Sequence, residues 1–177
     1  ITMEDKARNI LMTQEQIAKR IRELGEEISK EYAGKNLYVL SLLRGSFIFA
    51  ADLVREISVP VKIGFMTTSS YGHSEESSGC VKVVNDIPDD INGYDVLIVD
   101  DIVDTGITMD FVVGHVKALG ASSVKCCVLL DKPERRKIDI KPDFCCFQIP
   151  DLFVVGYGLN YGDHYRNVPY VFNWEEK

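Results

Sequence analysis

The sequence predicts an α/β fold, a parallel twisted sheet flanked by helices, and three observations carry that expectation. Apolar runs of strand length (LYVLSLL, 37–43; YDVLIV, 94–99; SVKCCVLL, 123–130) alternate with segments of helical periodicity. Strand, helix and strand follow one another between residues 94 and 130, which is the span of a crossover joining parallel neighbours. A chain of 177 residues, 46% hydrophobic and 27% charged, fills one core and falls short of two comfortable domains.

The elements follow in order. Thr13 with Gln16 three residues on forms a capping box, after which Ile17, Ile21, Leu24, Ile28 and Tyr32 recur at helical spacing until Gly34. The buried strand 37–43 turns through Arg44-Gly45-Ser46 into a helix, FIFAADLVREI, that ends before Pro60. Val61 to Met66 reads as a strand. The segment TSSYGHSEESSGC (68–80) has five Ser, two Gly and one aromatic, so it cannot bury itself and is expected to be mobile. Val81 to Val84 resumes a strand, Asp86 to Gly93 is a turn region, and 94–99 is the best buried strand of the chain. Ile107 to Leu119 is a helix closed by Gly120; strand 123–130 follows, then the shorter apolar pieces FCCFQI and FVVGYG. No repeat or linker interrupts the pattern.

Charge narrows the function. Twenty Lys and Arg against 27 Asp and Glu give −7, the wrong sign for a nucleic-acid or anionic-membrane surface. Residues 83–116 hold eight Asp and no Lys, Arg or Glu, so the net charge sits in one stretch. No uncharged apolar run approaches the ~18 residues that span a bilayer, and ITMEDKARNI has no apolar signal core. Four of the five cysteines are adjacent pairs, Cys126-Cys127 and Cys145-Cys146, whose side chains point to opposite faces of a strand. Reduced, buried thiols in a cytoplasmic protein are expected.

The acidic stretch contains VLIVDDIVDTGIT (96–108). Ligands of open α/β sheets bind outside the carboxyl ends of strands, where Asp100 and Asp101 are expected. The turn Asp104, Thr105, Gly106, Ile107 and Thr108 opens the next helix, and a helix start offers free N–H groups to a phosphate. One Asp here would be ordinary decoration of a helix N-terminus. Three acids on one loop, with two Thr and a Gly, point to a ligand carrying both hydroxyls and phosphate. Neither a GxGxxG nor a GxxxxGK[ST] pattern is present.

This stretch resembles the phosphoribosyl-diphosphate motif of the type I phosphoribosyltransferases, in which four apolar strand residues precede two acids, two apolar residues, then Asp-Thr-Gly and a Thr. A wider resemblance, from about residue 10 to 170, runs toward the bacterial hypoxanthine-guanine phosphoribosyltransferases. It rests on LLRGS (42–46), SSYG (69–72), LLDKPERR (129–136), KPDF (141–144) and IPDLFVVGYGL (149–159). The resemblance implies the type I phosphoribosyltransferase fold in one domain, 1–177, with a small hood from about 150–177 plus the N-terminal segment. It implies purine salvage: a 5-phosphoribosyl group passes from 5-phosphoribosyl 1-diphosphate to hypoxanthine or guanine, giving IMP or GMP and pyrophosphate. Magnesium is the implied cofactor, and a homodimer or homotetramer the implied assembly.

By the same resemblance Asp100 and Asp101 bind the ribose hydroxyls and lie on the metal side. Residues 104–108 cradle the 5-phosphate, and Asp104 accepts the proton of the attacking purine nitrogen. Lys132 donates to the purine 6-oxo group, Phe153 stacks on the base and the Val154 backbone meets its edge. Arg44 and Gly45 bind pyrophosphate, in a loop where the family often has a cis peptide, and Arg166 in the tail is a further pyrophosphate-side residue. Ser70 and Tyr71 belong to a lid over about 68–80. The family's GLDY is here Gly158-Leu159-Asn160-Tyr161, so Asn160 replaces a carboxylate associated with a second magnesium. Two other readings remain open. A receiver domain also has Asp-Asp after an apolar strand, but near its start, whereas here the pair lies past mid-chain. A regulator of the same fold would sense donor or purine nucleotides without catalysis.

Overall fold

Alternation along one strand sets the architecture. Leu37 and Val39 pack into one apolar layer and Tyr38, Leu40 and Leu42 into another, so this strand is buried on both faces. The computed structural model describes residues 8–71 and 80–175. Its elements are β1 (Asn9–Met12), α1 (Gln14–Glu31), β2 (Leu37–Leu43), α2 (Phe47–Val54), β3 (Val61–Tyr71), β4 (Cys80–Asn85), β5 (Asp95–Val103), α3 (Ile107–Ala118), β6 (Ser123–Asp131), β7 (Phe144–Gln148), β8 (Val154–Val155) and β9 (Val171–Asn173).

Six strands form the main sheet in the order β4-β3-β2-β5-β6-β7. All neighbours are parallel except the antiparallel pair β3–β4 at one edge. Ile17, Ile21, Leu24 and Ile28 of α1 and Phe49 and Leu53 of α2 cover one face; Met109, Val112 and Val116 of α3 cover the other. The α1 start is the expected capping box: Gln16 N donates to Thr13 Oγ1 (3.2 Å) and Thr13 N to Gln16 Oε1 (2.9 Å). Arg20 reaches from α1 to the edge strand β7, donating to the carbonyls of Cys145 (2.9 Å) and Cys146 (3.1 Å). Residues from both ends of the chain build a second, three-stranded antiparallel sheet, β1-β9-β8.

The chain leaves the centre of the sheet in both directions. From β2 it crosses through α2 to β3 on one side, and from β5 through α3 to β6 on the other. The carboxyl ends of β2 and β5 therefore flank a topological switch point, the crevice where such sheets bind ligands.

Several boundaries differ from the expectation. The second helix ends at Val54, because Glu56 N and Ile57 N bond the carbonyls of Leu53 and Val54 in tighter turns, which still bury Ile57. β3 runs to Tyr71 and β4 begins at Cys80, so the arms of the segment read as mobile are paired from Thr67↔Asn85 to Tyr71↔Cys80. Residues 72–79, and the side chains of Ser70 and Tyr71, lie outside the described residues. β5 continues to Val103, which places Asp100 and Asp101 inside the ladder with β6 rather than beyond its end. The five cysteines are free, with Cys126, Cys127 and Cys146 buried. Burial pushes the Cys126 and Cys146 thiols up to about 12 and Cys145 up to about 11, far from thiolate reactivity.

Candidate active site

The β2–α2 turn is fixed from beneath. Ser41 and Ser46, both fully buried, share a hydrogen bond of 2.7 Å, and the Ser46 hydroxyl also donates to Leu42 O. The turn above carries Arg44 and Gly45, and the Leu43–Arg44 peptide is cis. The Arg44 side chain is exposed and makes no hydrogen bond or ion pair among the described residues, while its carbonyl accepts from Phe47 N (3.2 Å). Gly45 lies against the neighbouring strand so closely that a Cβ on it would fall 1.9 Å from Asp101 Oδ2.

Asp100 and Asp101 are half-buried. Asp101 N donates to Asp100 Oδ1 (2.9 Å) and Ile102 N to Asp101 Oδ1 (2.8 Å). Burial, then the adjacent charge of Asp101, pushes Asp100 well above the usual carboxylate range. Burial raises Asp101 too, against the lowering pull of its hydrogen bonds and of the Arg166 charge. Two desolvated carboxylates side by side favour a nearby cation.

The following loop turns into α3 at Gly106, whose φ of +88° is a conformation that glycine adopts without strain. Ile107 N donates to Thr105 Oγ1 (3.3 Å), and Thr105 O accepts from Lys137 N (2.9 Å) and Ile138 N (3.2 Å). Asp100, Asp104, Thr105, Gly106 and Thr108 line a pocket of about 120 Å³ at the start of α3. That is roughly four times the ~30 Å³ share of a liquid water, room for a phosphate-sized anion facing first-turn N–H groups.

On the other side of this loop, Lys132 N donates to Val103 O (2.9 Å), holding the residue after β6 beside Asp104. Lys132 is only 7% exposed, with Nζ 3.9 Å from Asp151 Oδ1. Two residues beyond Asp151, the Phe153 ring is 53% exposed. Its edge-on neighbour Tyr161 (5.9 Å) is itself stacked on Trp174 (4.1 Å). Trp174 N bonds Phe153 O, and Val154 is buried in the β8–β9 pair.

The loop after β8 closes the crevice from the side of the β2–α2 turn. Arg166 Nη1 donates to Gly158 O (2.7 Å) and Gly158 N to Arg166 O (2.8 Å). Gly158 has φ +99°, and a Cβ there would fall 2.2 Å from Gly45 O, so this loop touches the β2–α2 turn directly. Asn160 is exposed, its Nδ2 donating to Gly162 O (2.6 Å). Among the described residues no group of three or more His, Cys, Asp or Glu could hold a metal. The protein alone offers an ion the neighbouring carboxylates of Asp100 and Asp101, a donor set that suits hydrated magnesium shared with substrate phosphates.

The expected residues thus fall into two adjoining groups. Gly45, Asp101 and Arg166 form one, joined through Gly158; Asp104 and Lys132 form the other, and Asp104 also lines the phosphate-sized pocket. Two residues in this crevice were not anticipated. Arg135 Nε donates to Asp104 Oδ1 (2.7 Å), and its Nη1 lies 3.5 Å from Asp151 Oδ2. In sequence Arg135 looks like a solvated neighbour of Lys132, and nothing in its spacing marks it.

Comparison with known proteins bears on the same crevice. Residues 8–162 match the phosphoribosyl transferase domain family. The hypoxanthine-guanine phosphoribosyltransferase of Bacillus subtilis is 43% identical over 96% of this chain and 94% of its own. The hypoxanthine phosphoribosyltransferase of Buchnera aphidicola is 48% identical over 92% and 93%. A crystal structure of hypoxanthine phosphoribosyltransferase from Staphylococcus aureus superimposes with a TM-score of 0.93 at 39% identity, covering 98% of this chain and 94% of that one. With an acidic pair and a phosphate-sized pocket at the switch point of such a sheet, the chain belongs to the phosphoribosyltransferase family, in its hypoxanthine-guanine branch.

Proposed function

We propose that this protein transfers the 5-phosphoribosyl group of 5-phosphoribosyl 1-diphosphate to hypoxanthine or guanine, releasing pyrophosphate and forming IMP or GMP. The observation that carries the reading is the meeting of Asp100 and Asp101 with the 104–108 pocket at the carboxyl end of β5. One strand end then takes both hydroxyls and the 5-phosphate of a ribosyl phosphate.

Asp100 and Asp101 accept from the ribose hydroxyls, and residues 104–108 surround the 5-phosphate with N–H and hydroxyl donors. Positive charge grows at the anomeric carbon as the C–O bond to pyrophosphate breaks. Arg44, Gly45 and Arg166 receive the departing diphosphate, Arg44 and Arg166 offering forks of N–H donors. Asp104 takes the proton of the attacking purine nitrogen, a role worth about 10²–10⁴-fold for a well-placed base. Lys132 donates to the 6-oxo group, where adenine would instead present an amino group to a cation. Phe153 offers its exposed face to the base and Val154 its backbone to the base edge. Ser70 and Tyr71 belong to the lid that excludes water. Asp100 and Asp101 would hold magnesium, which when bound would neutralise charge on the diphosphate; Asn160 stands where a second such site would draw on a carboxylate. The setting is cytoplasmic, and the assembly a homodimer or homotetramer.

The test is nucleotide formation and pyrophosphate release with hypoxanthine, guanine and xanthine, on the unaltered chain and on Asp104→Asn. The unaltered enzyme is expected to use the first two bases. Asp104→Asn is expected to lose about 10²-fold or more in kcat with donor binding nearly unchanged. Donor binding without nucleotide formation would identify a sensor instead.

A further inference from the structure

We propose that Arg135 is a positioning residue for the reaction: it grips one carboxylate oxygen of Asp104 and leaves the other facing the purine. The proposal deepens the function proposed above and rests on Asp104 acting there as the proton acceptor.

Arg135 sits on a short 3₁₀ turn, Pro133–Arg135, that is anchored at both ends. Lys132 N bonds Val103 O at its start, and Lys137 N bonds Thr105 O at its finish. Within it Arg135 N bonds Lys132 O (3.2 Å) and Arg136 N bonds Pro133 O (3.2 Å). The backbone of Arg135 is therefore registered both to Lys132 and to the two residues that flank Asp104. From this base its guanidinium spans two acids, with Nε 2.7 Å from Asp104 Oδ1 and Nη1 3.5 Å from Asp151 Oδ2. Asp151 in turn places Oδ1 3.9 Å from Lys132 Nζ. Four charged groups of alternating sign thus run from the 6-oxo donor to the proton acceptor. Asp104 Oδ2 takes no hydrogen bond from the described residues and is the oxygen left to the substrate.

Stability does not account for this arrangement. Arg135, Asp104 and Asp151 are each 40–49% exposed at their side chains, and exposed pairs contribute only about 0–1 kcal/mol. Geometry does. A carboxylate on a loop rotates about two side-chain bonds, yet a general base must lie within hydrogen-bond reach of its proton. Misplacement by about 1 Å costs on the order of 10²-fold. A guanidinium engaged by Asp151 on one side offers Asp104 a fixed direction, of which an ammonium at the same place keeps the charge and only part of the aim.

The experiment compares steady-state kinetics of the unaltered enzyme, Arg135→Met and Arg135→Lys, and of Asp104→Asn with and without Arg135→Met. Arg135→Met is expected to lose about tenfold in kcat, a fraction of the 10² that misplacement costs, while the donor KM stays within about twofold. Arg135→Lys, similar in length but charged, is expected to recover at least about half of the loss on a logarithmic scale. In the Asp104→Asn background Arg135→Met is expected to change kcat by less than about twofold, because the group it aims is gone. Three results overturn the proposal: Arg135→Met at or above the unaltered rate, equal losses in the Met and Lys variants, or a full tenfold loss on top of Asp104→Asn. If Asp104→Asn is too slow to measure, the Met and Lys comparison decides alone. An unaltered enzyme that makes no nucleotide overturns the functional reading itself, and the proposal with it, before any variant is compared.

Discussion

At Gly45 a single methyl group decides whether Asp101 keeps its place. The Cβ of Gly45→Ala would lie 1.9 Å from Asp101 Oδ2 and 2.8 Å from its Cγ, so the carboxylate must swing away. The backbone of Gly45 is not left-handed, and the fold is expected to survive. The donor KM is expected to rise about tenfold, equivalent to ~1.4 kcal/mol, with an unchanged circular dichroism spectrum; an unaltered KM would remove Asp101 from donor binding. At this scale the sequence is legible only where neighbours in the chain are neighbours in space. Asp100, Asp101 and Asp104–Thr108 are contiguous, so their pattern can be read directly. The Arg135–Asp104 contact spans 31 residues, and the Gly45–Gly158 contact is longer still. Residue type alone says nothing about either.

Among the elements, the join between β6 and the turn after it is the most exacting. Asp131 closes β6 at 2% exposure and pairs with Arg136, whose own Nη1 is buried without a hydrogen-bond partner. The Arg136 side chain also lies beside Gly106, with Cδ 3.2 Å from where a Cβ would stand. The pair therefore braces the turn after β6 against the phosphate-sized pocket. Breaking a buried pair from one side strands a charge and costs about 3–5 kcal/mol. Arg136→Met is expected to lower the urea midpoint accordingly; a loss below about 1 kcal/mol would show that Asp131 finds other compensation. Helical periodicity and capping made α1 legible to within a residue or two, because both signals are local. The length of β3 was not: Thr, Ser and Tyr beyond Met66 read as loop until β4 supplies their ladder. The strand pairing of β1 with β9 joins opposite ends of the chain and leaves no local trace either.

For the whole molecule, the two sheets meet at the site. The loop after β8 touches the β2–α2 turn through Gly158 and Gly45, and Arg166 brings a cation near Asp101. Asn160 lies on this same loop, where the family pattern has an acid. Replacing it should strengthen divalent binding once the donor is present, since a carboxylate is the harder oxygen ligand. Calorimetric titration of magnesium into the donor-bound protein is expected to show tighter binding in Asn160→Asp, together with a lower half-saturating magnesium in the assay. Identical isotherms would mean that Asn160 takes no part in holding the ion. The overall charge of −7 reads differently in this light. It still opposes nucleic acid, while part of the acidity converges at the strand end with Asp100, Asp101 and Asp104. The phosphates would meet N–H groups, Arg44 and Arg166.

The reach of Arg20 from α1 to the last strand has a consequence outside catalysis. A parallel sheet that ends in a short strand leaves a row of unsatisfied carbonyls, a template for pairing with any other extended chain. Arg20 donates to the carbonyls of Cys145 and Cys146 in that short strand, and its guanidinium is flanked by Glu23 (3.4 Å) and Glu27 (3.5 Å). A strand approaching there would have to dehydrate this cluster of charge, which is one of the ways an exposed sheet edge is kept from pairing with another chain.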